Sequence, residues 1–561
     1  MDSAEMNAVE SGKTWLGHAV NERTLVGVSR GAFSVGVVSL LLGLGVSSLD
    51  INHDLAIAAS SALRLTAGQR LYVDYSEPHG PIAGWVLALF TLVAPSVGWA
   101  LVLASGALNV AVALLVWTVV FKSTRSVETA LHAGLLTAVW FLPVFGGYYH
   151  DHLAYSLVIA AFACHTFIGE RFKRAGLTAL FFVLAYHTKQ TVAIGGMLAL
   201  AVTCLVVQGR RALFDRAHYL AFASFLMVFA LSYALLFAAV DVQKYWFHAV
   251  RTPLAAASMD DTRNPLGLVY TLLYPFRMQV NFFQLPNPRT LFFIPVILLV
   301  YWSYFRLHRC FIIERVVNRA AACGSTTFVF VFMLLSSLWC SALLGRWSQE
   351  VTFGLWAALA IAWSTYRSAW VRHAMAALCG VLALPQIYAN HPLEYPAHAF
   401  FTTTALRPIS VRYSPNQYDL DGTVGVVEYL QGRPGSIAII DEAAVLVPLA
   451  LGRASWGPTS YLCDGLCIPR DPEGRAAWQM EFIDLLQRHH VAYVIRVNEF
   501  RYGYARGRVR GRDVYGLNLP ILRRFVEEHY TSVFQCAGYE VLEFRGGTQV
   551  RSLPANRRPY G

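Results

Sequence analysis

Long apolar runs separated by short polar loops set the pattern of this chain. The runs lie near residues 31–49, 99–121, 129–147, 153–168, 175–187, 191–208, 219–240, 289–305, 325–343, 351–366 and 371–388. Most approach the roughly 20 residues that an α-helix needs to cross a bilayer. The pattern predicts a polytopic α-helical membrane protein with about 11 spanning helices. One more apolar stretch, 80–96 (GPIAGWVLALFTLVAPS), has a Pro near each end and is short for a span. It reads as an interfacial helix in the first outer loop. Its alternative is a true span with another segment, such as 175–187, demoted.

The loops orient the helices. Basic residues fall in alternate loops: Lys122 and Arg125; Arg171, Lys173 and Arg174; Arg210, Arg211 and Arg216; Arg306, Arg309, Arg315 and Arg319; Arg367 and Arg372. Positive charge next to spanning helices marks the cytoplasmic side, so residues 1–30 are expected to be a cytoplasmic segment. If 80–96 crossed, every later loop would change sides and the rule would fail. The same reading absorbs the net charge of +11 without a nucleic-acid surface. Only 14% of residues are charged, against about 25% in soluble domains. About 30 mixed-charge residues precede the first run, a longer lead than a signal peptide has, so 31–49 reads as a retained helix.

After residue 390 the composition changes. Residues 391–561 are expected to form an α/β domain on the outer (periplasmic) side, with helices near 423–431 and 475–488 and strands near 436–440, 492–497 and 539–544. Cys463 and Cys467 flank an Asp-Gly-Leu turn there, and a disulfide between them is open in an oxidising space. Cys164, Cys204, Cys310, Cys323, Cys340 and Cys379 lie in or beside apolar runs and read as core residues. Residues 31–390 would be the transmembrane domain.

With this orientation four polar clusters share the outer face. They are the loop 50–81 with Asp50, His53, Asp54, Asp74, Glu77 and His79; Tyr148 to His152; His187-Thr188-Lys189-Gln190; and Gly345-Arg346-Trp347-Ser348-Gln349-Glu350. The long loop 241–288, rich in aromatics and Pro, lies there too. Charge at a membrane edge is costly unless it works or is paired. Asp54 is therefore a general base or a helix cap, and Asp74 a site residue or a turn residue. His150, Asp151 and His152 are open as ligands for a divalent metal, although neighbouring side chains point in different directions. Lys189 pairs with a phosphate or snorkels to the headgroups, and Arg346 follows the same logic with a planar fork. No nucleotide-binding glycine loop or hydrolase elbow stands out.

One spacing goes further. Asp54 precedes Gly68 by fourteen residues, small and aliphatic for the most part; then come Leu71-Tyr72, Asp74 and His79-Gly80-Pro81 opening an apolar helix. This resembles the first outer loop of the GT-C membrane glycosyltransferases, in the bacterial branch that uses polyprenyl-phosphate sugars, of the aminoarabinose/mannosyl transferase type. The resemblance implies Asp54 as catalytic base. It implies a substrate site built from Tyr72, Asp74, His79, His150, Asp151, Lys189, Gln190 and Arg346. It further implies a polyprenyl-phosphate-linked sugar donor, a lipid, glycan or protein acceptor, an inverting transfer, and a place in the bacterial inner membrane. HTKQT matches the family's lysine-glutamine motif, whose cation faces the lipid phosphate. After Gly-Arg-Trp, Ser348-Gln349-Glu350 replace the family's usual His-Tyr. No cofactor is firmly implied, a divalent metal being the one left open. The alternative class is a membrane transporter or lipid flippase without covalent chemistry. Against it stand the lack of an inverted repeat and the gathering of polar residues at one face.

Overall fold

A computed structural model of the chain describes residues 22–47, 53–77, 80–141, 148, 150–209, 212, 215–251, 326–343, 353–366, 368–390, 404–409, 420–440, 442–459, 468–469, 471–497 and 519–546. Up to residue 390 the regular elements among the described residues are helices. They are α1 (Glu22–Ser47), α2 (His53–Thr66), α3 (Ile82–Val93), α4 (Val97–Thr124), α5 (Val127–Trp140), α6 (His150–Phe167), α7 (Arg171–Tyr186), α8 (Gln190–Gln208), α9 (Arg216–Ala239) and α10 (Val242–Tyr245), which a π-helical turn (Trp246–Arg251) continues. After a gap come α11 (Thr326–Leu343), α12 (Phe353–Trp363) and α13 (Ala369–Asn390). The expected span at 289–305 lies outside the described residues.

Among the described residues four helices are long and apolar enough to cross a membrane: Val26–Val46, Val97–Thr124, Gln190–Gln208 and His218–Ala239. The last turns Phe222, Leu226, Met227, Leu231 and Leu235 outward. A soluble protein could not hold such a row in water, whereas lipid tails cover it without cost. α3 has 12 residues, about 18 Å of helix against a hydrocarbon layer of about 30 Å. Ala83 and Leu87 face the protein, and Leu89, Leu92 and Val93 face outward. That is the form of a helix lying in the interface.

Two segments expected as loops are helical. Residues 53–66, inside the first outer loop, form α2. Leu55, Ala56, Ala58, Ala59 and Ala62 are buried, and small apolar residues at helical spacing favour a helix once a partner covers them. Residues 242–251, at the start of the loop 241–288, are also helical. Asp241 caps them by accepting from the amides of Gln243 and Lys244.

The C-terminal part contains α14 (Leu420–Leu430), β1 (Ile437–Ile439), a 3-10 turn (Glu442–Val445), α15 (Leu446–Leu451), β2 (Ser455–Trp456), α16 (Pro472–Arg488), β3 (Tyr493–Val497), α17 (Pro520–His529), β4 (Tyr530–Cys536) and β5 (Tyr539–Phe544). The strands form one sheet in the order β2-β1-β3-β5-β4. β1 pairs in parallel with β2 and β3, while β3–β5 and β5–β4 are antiparallel. One face of the sheet buries Trp478, Phe482 and Leu486 of α16. The other shares a core with α2, α3 and α4, in which Leu55, Ala59, Leu87 and Leu101 meet Val426, Ile437, Leu446 and Ile495. The sheet unit is thus seated on α2, α3 and the start of α4. Each large aliphatic side chain buried there contributes about 1.5–3 kcal/mol.

Candidate functional site

α6 and α8 both begin at one end of the bundle, and their first residues meet. Ser105 Oγ accepts from the amide of Tyr148 at 2.6 Å, and the Tyr148 hydroxyl donates to the carbonyl of Ala83 at 2.7 Å. This ties the entry to α6 to the interfacial helix. His150, Asp151 and His152 are all buried. They diverge, as neighbours on a helix must: the His152 ring stacks on Phe141 at 4.2 Å, whereas Asp151 Oδ1 lies 3.6 Å from Lys189 Nζ. Lys189 stands immediately before α8, where backbone N–H groups of the first turn lack helical acceptors. An ammonium beside such a helix start favours a phosphate at that point.

The first outer segment closes on the same place. The amide of Ile82 donates to the carbonyl of His187 at 3.3 Å. Gly80 packs so tightly there that a Cβ would overlap that carbonyl. His187 is itself fixed by Ser232 of α9, Nε2 to Oγ 2.8 Å. Three of the four expected outer clusters are therefore contiguous. The fourth, with Arg346, lies outside the described residues, as do Asp50 and His79. α11, which leads towards it, packs its Cys340 against Gly195 of α8 and donates from Sγ to the carbonyl of Val192.

Asp54 is the second residue of α2. Downstream the segment is held by contacts far along the chain. Arg64 is buried, with Nη1 donating to the carbonyl of Gly457 at 2.9 Å and Nη2 to Ser455 Oγ at 3.0 Å. Burial brings its pKa down to about 10, with Tyr75 and Glu77 opposing, so it stays a cation at neutral pH. Gln69 Nε2 donates to the carbonyl of Ser455, and the Ser76 amide to that of Pro458.

Tyr72 and Asp74 serve the loop itself. Tyr72 is fully buried at φ 59°, a left-handed conformation that a bulky side chain rarely adopts. Its hydroxyl donates to the carbonyl of Glu77 at 3.2 Å, and its ring meets the Tyr245 ring edge-on at 4.9 Å. Burial, then the Glu77 charge, raises its phenol pKa. Asp74 Oδ2 accepts from the Arg70 amide at 2.7 Å, which is turn chemistry. Both side chains hold the loop's own backbone.

A second ionic cluster, which the sequence pattern did not single out, clamps this loop to the sheet unit. Lys244 Nζ donates to the carbonyl of Val73 at 2.8 Å and meets Glu481 Oε1 of α16 at 2.7 Å. His248 Nε2 lies 3.1 Å from the other Glu481 oxygen. Burial pushes the Glu481 carboxyl up, but the His248 hydrogen bond and the charges of His248 and Lys244 outweigh it and hold the pKa below the ordinary value. Cys463 and Cys467, the candidate disulfide, fall outside the described residues.

No family model and no curated protein matches the chain. Among solved structures it is similar to proteins captured with long-chain lipid phosphates. ArnT from Cupriavidus metallidurans bound to undecaprenyl phosphate aligns over 93% of this chain and 98% of its own, at 12% identity and a TM-score of 0.48. The apo state of that protein gives 92% and 97% coverage, 12% identity and a TM-score of 0.40. The archaeal oligosaccharyltransferase AglB from Archaeoglobus fulgidus, in complex with an inhibitory peptide and a dolichol-phosphate, gives 93% and 75% coverage, 12% identity and 0.38. At such identity and superposition, a function for this chain has to come from its own residues.

Proposed function

We propose that the chain is a membrane glycosyltransferase, which moves a sugar from a polyprenyl phosphate to a lipid, glycan or protein acceptor. The observation that carries the reading is the pairing of half-buried Lys189 with fully buried Asp151, set at the start of an apolar helix and against the loop that carries Asp54. A lysine at a membrane edge is expensive unless it answers an anion. A lipid-linked phosphate can reach it along the outward apolar faces without leaving the bilayer.

In the proposed reaction Asp54 takes the proton of an acceptor hydroxyl. The oxygen attacks the anomeric carbon while the bond from that carbon to the phosphate oxygen breaks. The configuration inverts, and the phosphate leaves with the electron pair. Lys189, the α8 amides and Arg346 would answer the charge that develops on the leaving phosphate. Asp151 would orient Lys189 and meet the sugar or acceptor, with His150 and Gln190 beside it. The divergence of His152 and Asp151 disfavours one divalent metal held by the whole His150–His152 run. On the positive-inside orientation, the site faces the periplasm of a bacterial inner membrane, with the sheet unit packed on the segment that carries Asp54.

The test is incubation of the purified protein with radiolabelled polyprenyl-phosphate sugars and a membrane extract, with Asp54→Asn alongside. Label moving to an acceptor only with the unaltered protein supports the reading. Removal of a proton-transfer group is expected to slow transfer by about 10²- to 10⁴-fold. Equal transfer by both proteins would sink Asp54 as the base. Movement of labelled lipid or sugar across vesicles without a covalent product would replace the enzyme by a transporter.

A further inference from the structure

The far ends of α6, α8 and α9 carry chemistry that the proposed reaction does not use. His165 of α6, Cys204 of α8 and His218 of α9 come together there. One ligand atom from each lies within 4.8 Å of the other two. Cys204 is buried, and its placement in an apolar helix gave it a packing role in the sequence. His165 is 9% exposed, and its Nδ1 has no hydrogen-bond partner among the described residues. The His165 ring instead stacks on that of His218, with centroids 5.4 Å apart. His218 Nε2 meets Gln208 Oε1 at 3.1 Å and Asp215 Oδ2 at 3.9 Å. The cluster borders a cavity of about 520 Å³, lined otherwise by Thr178 and by apolar residues including Phe182, Met197 and Phe222.

We propose that His165, Cys204 and His218 bind a zinc ion. Two imidazoles and a thiolate form the borderline-soft donor set that zinc takes, and Asp215 is within reach as a fourth ligand or as an orienting carboxylate. All three ligand atoms already lie within 4.8 Å of one another, so small side-chain shifts suffice to bring them onto one tetrahedral ion. Dispersion packing gives His165 no reason to keep a buried, unsatisfied nitrogen, since a buried polar atom without a partner costs about 1–3 kcal/mol. A bound ion removes that cost. The thiol proton leaves to solvent as the zinc–sulfur bond forms. On the proposed orientation this end faces the cytoplasm, where the thiol stays reduced.

The place of the site gives it a role. Asp151 and His165 are separated by about 21 Å along α6, and Lys189 and Cys204 by about 22 Å along α8. The ion would pin the distal ends of the two helices whose starting ends form the Asp151–Lys189 pair, and would tie α9 to them. It is a brace, apart from the reacting atoms.

The test uses the full chain without a histidine tag, in detergent, stripped with a chelator and titrated with Co²⁺. The expected result is a single saturable equivalent with a sulfur-to-cobalt charge-transfer band, bleached when Zn²⁺ is added. Cys204→Ser should lose the band. Cys379→Ser, a buried thiol outside the cluster, should keep it. Gln208→Ala should weaken binding by about tenfold or more, as loss of an outer partner does. Misfolding of Cys204→Ser is bypassed by a second readout on the unaltered protein: Zn²⁺ should protect Cys204 from alkylation while leaving Cys536 unaffected. Absence of the band in the unaltered protein, its survival in Cys204→Ser, or unchanged alkylation of Cys204 would each overturn the proposal.

Discussion

Lys189 Nζ lies 3.6 Å from Asp151 Oδ1, and the side chain of Asp151 is wholly buried. Breaking such a pair by removing one partner costs about 3–5 kcal/mol, because the remaining charge stays without solvent. Lys189→Met is therefore expected to lower the melting temperature sharply. A double variant, Lys189→Met with Asp151→Leu, should regain much of that loss, since the buried carboxylate goes with its cation. Neither should bind a polyprenyl phosphate. Measuring melting and lipid-phosphate binding side by side separates structure from function. Binding retained by the stable double variant would deny Lys189 the phosphate.

Arg64 makes a second testable joint. Its guanidinium holds Gly457 and Ser455, so it fastens α2 to the edge strand of the sheet unit. Arg64→Met removes both bonds and leaves two buried acceptors unanswered, at about 1–3 kcal/mol each. Protease cleavage near 455–459 should then become faster while the membrane helices keep their fold. Arg64→Lys should recover only part of the protection, because an ammonium lacks the fork that spans both acceptors. Unchanged cleavage in Arg64→Met would show that the apolar core alone holds the unit.

How much of this was legible in the chain follows from distance along it. The apolar helices were, since apolar periodicity is local, and four of those described are long and apolar enough to cross a membrane. The meeting of residues 148–152 with 187–190 was anticipated by counting basic loops, although nothing local pairs Asp151 with Lys189. α2 lies inside the polar stretch 50–81 and was read as loop with it. Arg64, one of its polar residues, is explained by acceptors on the sheet unit. Arg64 could not have been assigned a partner, as its acceptors lie 391 and 393 residues away. Lys244, His248 and Glu481 are in the same position. Cys204 looked like any core cysteine until α6 and α9 brought two imidazoles to it.

Gly80 is expected to be intolerant for a steric reason. A methyl group there runs into the His187 carbonyl, and backbone cannot rotate away as a side chain can. Gly80→Ala should cost about 1–3 kcal/mol, as overpacking does. It should also push the first outer segment away from the turn before Lys189, so transfer should fall more than stability alone explains. Gly45→Ala is the control: it has nothing within 4 Å of its added Cβ and should hold or gain stability. A melting temperature for Gly80→Ala equal to that of the unaltered protein would mean the loop has room to shift.

The Glu481 cluster gives a pH dependence with a definite sign. Its carboxyl is held below the ordinary 4.5 by His248 and Lys244 despite burial. A depressed carboxyl adds stability that is fully present above the unfolded-state value and disappears as pH falls through the folded-state value. Glu481→Gln cannot ionise, so it lacks this increment at neutral pH. The gap in melting temperature between the two proteins should be widest near neutrality and should close as the pH falls below the ordinary carboxylate value of 4.5. If the gap persisted unchanged into acid, the clamp on α10 would rest on shape and packing instead of on charge.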